Sequence, residues 1–358
     1  MSMFKDMLKD TESLFTGNVE ALDFDYIPKL IPFRENEQRE IATCIKPIFQ
    51  KRNGRNILVH GKPGIGKTVA IKHLLKDLED ETDDILSVFI NCWQSNTTYK
   101  IMLEICEQLG YKFIQNKKTE DLVKVIKEII NKNAGAVFVF DEIDKAEDSD
   151  FLYTLLEVIF RKSIIIITNY KSWFTDLDER TKSRLIPDLL EFKEYNEKET
   201  IEILKQRMKY AFVSGVWDDD AFLMLAKKST QLKDIRTGLY LIKEAGQHAE
   251  DQSKKRIEKE DAKIALSKLE SFSIKNSASL IDVEKEILDM IKKNTGTKIG
   301  DLFKLYSAKG KDISYKTFQR KIKKLEEGKF IFIKKVGGGT EGKTSIINYG
   351  ESKKLTDF

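Results

Sequence analysis

Lys67 and Thr68 end the run Gly61-Lys62-Pro63-Gly64-Ile65-Gly66-Lys67-Thr68, a glycine-rich loop closed by an ammonium and a hydroxyl. In a G-x-x-x-x-G-K-T loop the backbone amides wrap phosphate groups. The lysine reaches the β- and γ-phosphates, and the threonine hydroxyl ligates Mg²⁺. The same spacing recurs at Gly337-Gly338-Gly339-Thr340-Glu341-Gly342-Lys343-Thr344. Such a loop needs a strand before it and a helix after it, because the helix N-terminus and the loop amides hold the phosphates together. Asn56-Ile57-Leu58-Val59-His60 reads as a short buried strand before the first copy. After it, Val69, Ile71, Leu74, Leu75 and Leu78 fall at near-helical spacing. The second copy instead precedes Ser345-Ile346-Ile347-Asn348-Tyr349, which favours β structure, so it reads as a hairpin tip. The first copy is expected to bind ATP or ADP through Gly61, Pro63, Gly64, Ile65, Gly66, Lys67, Thr68 and Val69.

Further polar groups stand at the ends of apolar runs. Val137-Phe138-Val139-Phe140 leads into Asp141-Glu142, placing Asp141 beside the Mg²⁺ held by Thr68 and Glu142 where it polarises an attacking water. Ile164-Ile165-Ile166-Ile167-Thr168 ends at Asn169, which can orient that water. Arg184, in Leu177-Asp178-Glu179-Arg180-Thr181-Lys182-Ser183-Arg184, suits a guanidinium presented to a neighbouring subunit's γ-phosphate. Arg236, after Asp234-Ile235, can fold back onto the nucleotide. Each arginine alone is equally compatible with a surface ion pair.

These groups require a scaffold of alternating strands and helices. Strands are predicted at Ile57–His60, Leu86–Asn91, Ala136–Phe140, Ile164–Thr168 and Leu189–Phe192, with helices Thr98–Leu109 and Thr119–Asn133 between them. Continuous apolar strands are expected where both sheet faces are covered, so the fold class is α/β with a parallel sheet. From Asn196 the strands stop. Amphipathic helices Glu197–Tyr210, Asp218–Lys228, Leu232–Asp251 and Glu258–Leu269 predict an all-helical domain. Helices Ile281–Lys293, Lys298–Ala308 and Tyr315–Glu327, then a hairpin over Phe330–Tyr349, follow the order of a winged helix. The predicted divisions are an extension (1–20), the nucleotide-binding domain (21–192), a helical lid (193–270), a serine-bearing linker (271–279) and the winged helix (280–358).

The 358 residues suffice for two or three cores, and 41% hydrophobic with 34% charged residues suits a cytoplasmic globular protein. No apolar run approaches a membrane span of about 20 residues, and the polar N-terminus does not read as a secretory signal. Met3, Phe4, Met7, Leu8 and Leu14 can form one face of a short docking helix or a frayed end. Cys44, Cys92 and Cys106 lack metal-site spacing and read as buried thiols. From Asn276 onward, 18 Lys and Arg face 11 Asp and Glu, a net +7 against +4 for the chain, so the other 275 residues carry −3. That asymmetry points to a polyanion held by one domain.

Taken in order, these residues resemble the AAA+ initiators of the origin-recognition/cell-division-control type, particularly the archaeal single-chain proteins. The resemblance rests on the phosphate loop, Asp141-Glu142-Ile143-Asp144, Ser183-Arg184, Asp234-Ile235-Arg236, Ala211-Phe212-Val213-Ser214-Gly215-Val216 and the winged helix. It implies an AAA+ P-loop NTPase sheet, a helical lid and a C-terminal winged helix. It also implies that Tyr26, Ile27 and Arg34 belong to a segment covering the adenine, and that Asn91 restrains Glu142. Phe33 stands where the family has His, and Lys233 where it has Gly. Within the last domain, Phe318, Ile322 and Leu325 at i, i+4, i+7 are expected to face the core, with Ser314 as the N-cap of that helix. Lys316, Thr317, Arg320, Lys323 and Lys324 then face outward for duplex DNA, with Lys334, Lys335 and Lys343 on the wing.

The implied activity is an origin-bound, nucleoid-associated replication initiator, with slow ATP hydrolysis as a switch, self-association on DNA and a replicative helicase as partner. A winged helix that binds protein remains open at this point. So do a DNA-bound regulator of transcription or of a plasmid or viral replicon, and a clamp-loader-like or motor ATPase.

Overall fold

The computed structural model describes residues 13–278, 282–308, 313–327, 330–336 and 344–349. Residues up to 266 form one compact unit and those from 267 a second. In the first unit, β1 (Ile57–His60), β2 (Ile85–Asn91), β3 (Gly135–Asp141), β4 (Lys162–Thr168) and β5 (Asp188–Glu191) make a sheet of order β2-β3-β4-β1-β5. Every pairing in it is parallel. The chain therefore crosses from β1 to the far edge and returns, leaving β1 between β4 and β5. That permutation sets the C-terminal ends of β1, β3 and β4 side by side.

β3 and β4 are buried along their whole length, as their unbroken apolar runs require. Alternation then assigns each residue to a face. Ala136, Phe138 and Phe140 pack with Ile101, Ile105 and Ile126 on one side. Val137 and Val139 pack with Ile41, Ile71 and Leu75 on the other. The helices begin at side-chain caps. Thr97 accepts from the Lys100 amide, Asp178 from Thr181, and Asn196 with Glu199 forms a reciprocal capping box.

The lid comprises helices Glu197–Ala211, Asp219–Leu232, Ile235–Asp251 and the start of Lys259–Ala278. The single helix predicted over Leu232–Asp251 is broken at its start. Lys233 takes a left-handed conformation (φ 56°) that ends one helix, and Asp234 caps the next by accepting from the Arg236 amide at 2.9 Å. Left-handed geometry explains why glycine suits position 233. Residues 271–278, predicted as an irregular linker, are helical. At the front of the chain, the Val213 amide donates to the Leu14 carbonyl at 2.9 Å, and Phe15 stacks on Phe212 with ring centroids 4.4 Å apart. Leu14 is thus a buried residue at a bend rather than part of a docking helix, while Met3, Phe4, Met7 and Leu8 lie outside the described residues.

The second unit is a winged helix: helices Asp282–Lys293, Ile299–Ser307 and Tyr315–Glu327 with β6 (Thr297–Lys298), β7 (Ile331–Val336) and β8 (Thr344–Tyr349). β8 lies between β6 and β7, antiparallel to both. The two-residue β6 is too short to leave a periodic signal and was not foreseen from sequence. Phe318, Ile322 and Leu325 are fully buried against Ile287, Ile291, Leu302 and Ile347, as their spacing predicted.

Candidate functional site

The loop between β1 and the helix Lys67–Glu81 turns through left-handed glycines. At Gly64 (φ 77°) an added Cβ would run into the Asp234 carboxylate, and at Gly66 (φ 86°) into the Tyr195 hydroxyl. Only glycine supplies both the conformation and the clearance there. The Ile235 amide donates to the Gly64 carbonyl at 3.2 Å, and Glu194 pairs with both Lys62 and Lys233. The lid therefore rests directly on the loop.

Lys67 follows, 6% exposed. Its Nζ donates to the carbonyls of Gly61 (2.8 Å) and Lys62 (2.7 Å) and to Asn169 Oδ1 (2.9 Å). Burial pulls its ammonium down to about 8, against the opposing pull of Asp141. Thr68 Oγ1 donates to Asp141 Oδ2 at 2.8 Å. Burial raises the Asp141 carboxyl, opposed by the Thr68 hydroxyl and the Glu142 amide, which donates to Asp141 Oδ1 at 2.9 Å. Glu142 sits in a left-handed conformation (φ 53°) just past the strand. Such strain turns the side chain out of the strand's alternation. Burial and the neighbouring Asp141 and Asp144 raise its carboxyl too.

A cavity of about 610 Å³ opens over these groups. Pro63, Gly64, Gly66, Lys67, Thr68, Val69, Asn91, Asp141, Glu142, Asn169 and Arg236 line it, so the phosphate loop, the C-terminal ends of β2, β3 and β4, and the lid each contribute. Arg236 is half exposed and leans on Asp234, with Nε 3.3 Å from Oδ1. Thr68 and Asp141 offer two adjacent oxygens, Oγ1 and Oδ2, 2.8 Å apart. That suits a cation keeping most of its ligands as water and phosphate, as magnesium does. Among the described residues no cluster of His, Cys, Asp or Glu forms an all-protein cage for a metal.

Several expected residues stand elsewhere. Gly61 and Ile65 shape the loop without lining the cavity, and the N-terminal segment contributes Phe24, Asp25 and Pro28 to Pro32 to the wall, on either side of Tyr26 and Ile27, which do not line it. Arg34 is a brace: 3% exposed, 4.0 Å over the Tyr195 ring, with bonds to Tyr195, Glu37, Ile65 and Lys193 that engage four of its five N–H donors. Asn91 Oδ1 accepts from the Trp93 amide at 2.8 Å and caps its own turn, and Asn91 lines the cavity together with Glu142. Asn169 meets Lys67 within this chain. Arg184 is on the surface, 5.1 Å over the Tyr153 ring and 3.5 Å from Glu157. Sequence reading missed Tyr195, Glu202, Ile203, Gln206, Arg207 and Tyr210 on the cavity wall. The i, i+4 repeats 202, 206, 210 and 203, 207 on one lid helix were the available signal.

On the winged helix, Ser314 Oγ accepts from the Thr317 amide at 3.2 Å and lies 2.9 Å from the Thr317 hydroxyl, so Thr317 belongs to the N-cap. Lys316, Arg320 and Lys323 are exposed. Lys324, expected on phosphate, instead pairs with the buried Glu284 at 3.0 Å, as Lys321 does at 2.8 Å. Lys334 and Lys335 stand on β7, whereas Lys343 and its hairpin tip lie outside the described residues.

Two family profiles match the chain: an AAA domain over residues 50–168 and a Cdc6 AAA+ ATPase-type lid domain over residues 201–267. The ORC1-type DNA replication protein 2 of Methanosarcina mazei is 26% identical over 96% of this chain and 95% of its own. That of Archaeoglobus fulgidus is 28% identical over 96% and 93%. Among solved structures, the Aeropyrum pernix ORC1 protein in complex with DNA shares the fold, with TM-score 0.73 and 24% identity over 95% of both chains. So does the Aeropyrum pernix ORC2 protein in its ADPNP–ADP complexes, with TM-score 0.68 and 17% identity over 94% of both chains. With an AAA segment, a Cdc6-type lid and similarity along nearly its whole length to ORC1-type proteins, this chain belongs to the Orc/Cdc6 family of AAA+ ATPases.

Proposed function

We propose that this chain is an ATP-regulated replication initiator that marks origins by binding duplex DNA and assists in loading the replicative helicase. The observation that carries the reading is one chain joining three parts: the Lys67–Thr68–Asp141 corner, a Cdc6-type lid resting on the phosphate loop, and a winged helix exposing Lys316 and Arg320. The curated relatives are named as replication proteins, and one structural neighbour is in complex with DNA.

Each part has a role in this reading. Lys67 and the loop amides bind the phosphates, and Thr68 with Asp141 holds Mg²⁺, which neutralises phosphate charge. Glu142 takes the proton of the attacking water, and its raised carboxyl makes it a better base than a solvated glutamate. Asn169 positions that water once phosphate displaces it from Lys67. Arg236 reads the nucleotide from the lid, and Arg184, at a half-exposed surface, reaches a neighbouring subunit on DNA. Hydrolysis is slow and serves as a switch, since the nucleotide cavity has walls on both sheet and lid and can set the angle between them. In the winged helix, Arg320 reads a base edge while Lys316 and Lys343 meet phosphates.

Mapping the chromosomal positions that the protein occupies tests this reading. Occupancy concentrated where replication begins is expected; occupancy spread over promoters would assign the chain to transcription instead. A steady-state ATPase assay with and without duplex DNA supplies the complement, because strong stimulation by DNA belongs to a motor.

A further inference from the structure

Arg207 is 7% exposed on the lid helix Glu197–Ala211 and lines the cavity with Ile203 and Gln206 of the same helix and with Pro28. Its guanidinium lies 4.7 Å over the Tyr26 ring, and Nη2 donates to the Tyr26 carbonyl at 3.3 Å. Nη1 is buried and has no hydrogen-bond partner among the described residues. Nor do these supply a carboxylate to pair with it. Burial pulls the group down to about 10, so it remains a cation at neutral pH. A buried charged donor left unsatisfied is costly, and its retention calls for an acceptor that arrives with a ligand.

The surroundings say which part of a ligand. Lys67, Thr68 and Arg236 already serve phosphate at the loop, and none of Arg207's contacts is with the loop. The Tyr26 ring lies against its guanidinium, and Pro28 and Ile203 line the same cavity, flat and apolar surfaces that suit a heteroaromatic ring and not a solvated anion. A purine presents in-plane nitrogens that accept hydrogen bonds, and a guanidinium N–H lying in an apolar wall is complementary to one of them. We propose that Arg207 determines base specificity in this cavity, its Nη1 donating to a ring nitrogen of the purine. The proposal rests on the nucleotide reading above and adds the residue that recognises the base.

The test compares ATP, inorganic tripolyphosphate and the 1-deaza, 3-deaza and 7-deaza analogues of ATP, titrated with Mg²⁺ into the wild-type chain and into Arg207→Met. Methionine keeps the unbranched stem and removes the donor. ATP affinity is expected to fall about tenfold or more, since a hydrogen bond from a charged group is lost, while tripolyphosphate affinity stays unchanged. One deaza analogue, lacking the acceptor that Arg207 meets, should bind both proteins equally. Unchanged ATP affinity, equal losses of ATP and tripolyphosphate, or a difference that persists with every deaza analogue overturns the proposal. Should Arg207→Met fail to fold, the wild-type chain alone decides: one deaza analogue must bind about tenfold more weakly than ATP, and equal affinity for all three rejects the assignment. Lys67→Ala separates the two readings. It should lose ATP and tripolyphosphate together, and retention of both would remove the nucleotide reading itself and this proposal with it.

Discussion

The corner around Lys67 and the outer face of the helix Tyr315–Glu327 are both clusters of polar side chains, yet they are built on opposite terms. Lys67 is buried, bonded to three acceptors and pulled well below its ordinary value. Lys316 and Arg320 stand in solvent. A desolvated group interacts strongly with whatever enters beside it, because water screens neither partner. An exposed one shares its work with neighbours and with salt. Chemistry at the first site should depend on single residues, and binding at the second should be distributed. Burial alone does not make a functional lysine, however. Lys162 is as buried as Lys67 and also held at about 8, but its Nζ serves the Leu156 and Ile159 carbonyls where a helix ends, away from the cavity.

The largest effect should come from Lys67→Ala, which is expected to reduce ATP affinity by at least about a hundredfold through loss of a charged contact to phosphate. Lys162→Met and Lys343→Ala should leave that affinity unchanged. Nucleotide titration of the three variants checks this, and equal loss in Lys67→Ala and Lys343→Ala would erase the contrast between the two copies of the motif. Glu142→Gln comes next. ATP should still bind, while single-turnover hydrolysis falls about 10²–10⁴-fold, the range for removing a general base. Hydrolysis at the wild-type rate would take Glu142 out of the mechanism.

Smaller effects belong to the exposed face. Arg320→Ala should cost about 1–3 kcal/mol on the preferred duplex and less on random sequence, whereas Lys316→Ala should weaken both alike and reduce the salt slope by about one. Equilibrium binding across a salt series distinguishes them. Losses at Arg320 that are equal on all sequences would make it another phosphate contact.

The smallest expected signal is in pH. Lys67 and Lys162 are held near 8, against 10.5 in the unfolded chain, so between those values the unfolded chain holds more protons than the folded one. Stability of the nucleotide-free protein therefore rises with pH through that window, and the cost of burial is fully present below 8. Thermal melting between pH 8 and 10 should show a shallower rise for Lys162→Met than for wild type. Phosphate beside Lys67 favours its charged form, so ATP affinity should weaken as pH climbs above 8, and should do so equally in Lys162→Met. A pH profile of ATP binding altered by Lys162→Met would break the distinction between the two lysines.

What the sequence determined by itself was local. The loop glycines, the apolar runs of β3 and β4 and the i, i+4, i+7 spacing of Phe318, Ile322 and Leu325 each specify their element, because backbone conformation and burial are set by neighbours within a turn or a strand. The acids after β3 were legible for the same reason, since a strand that leaves a core must end in polar residues. Tertiary structure decided what no local pattern encodes. The strand order put Asn169 against Lys67, 102 positions away, and brought the lid loop at Asp234 onto Gly64. It spent Arg34 on Tyr195 and set Lys324 beside the buried Glu284, because a charge taken out of water, here Arg34 or Glu284, must be met by whichever partner the fold delivers. It also placed Arg207 on the wall of a cavity whose other walls come from residues far away in the chain. In a sequence that arginine is only one more basic residue on an amphipathic helix, and only its burial shows that an acceptor is owed.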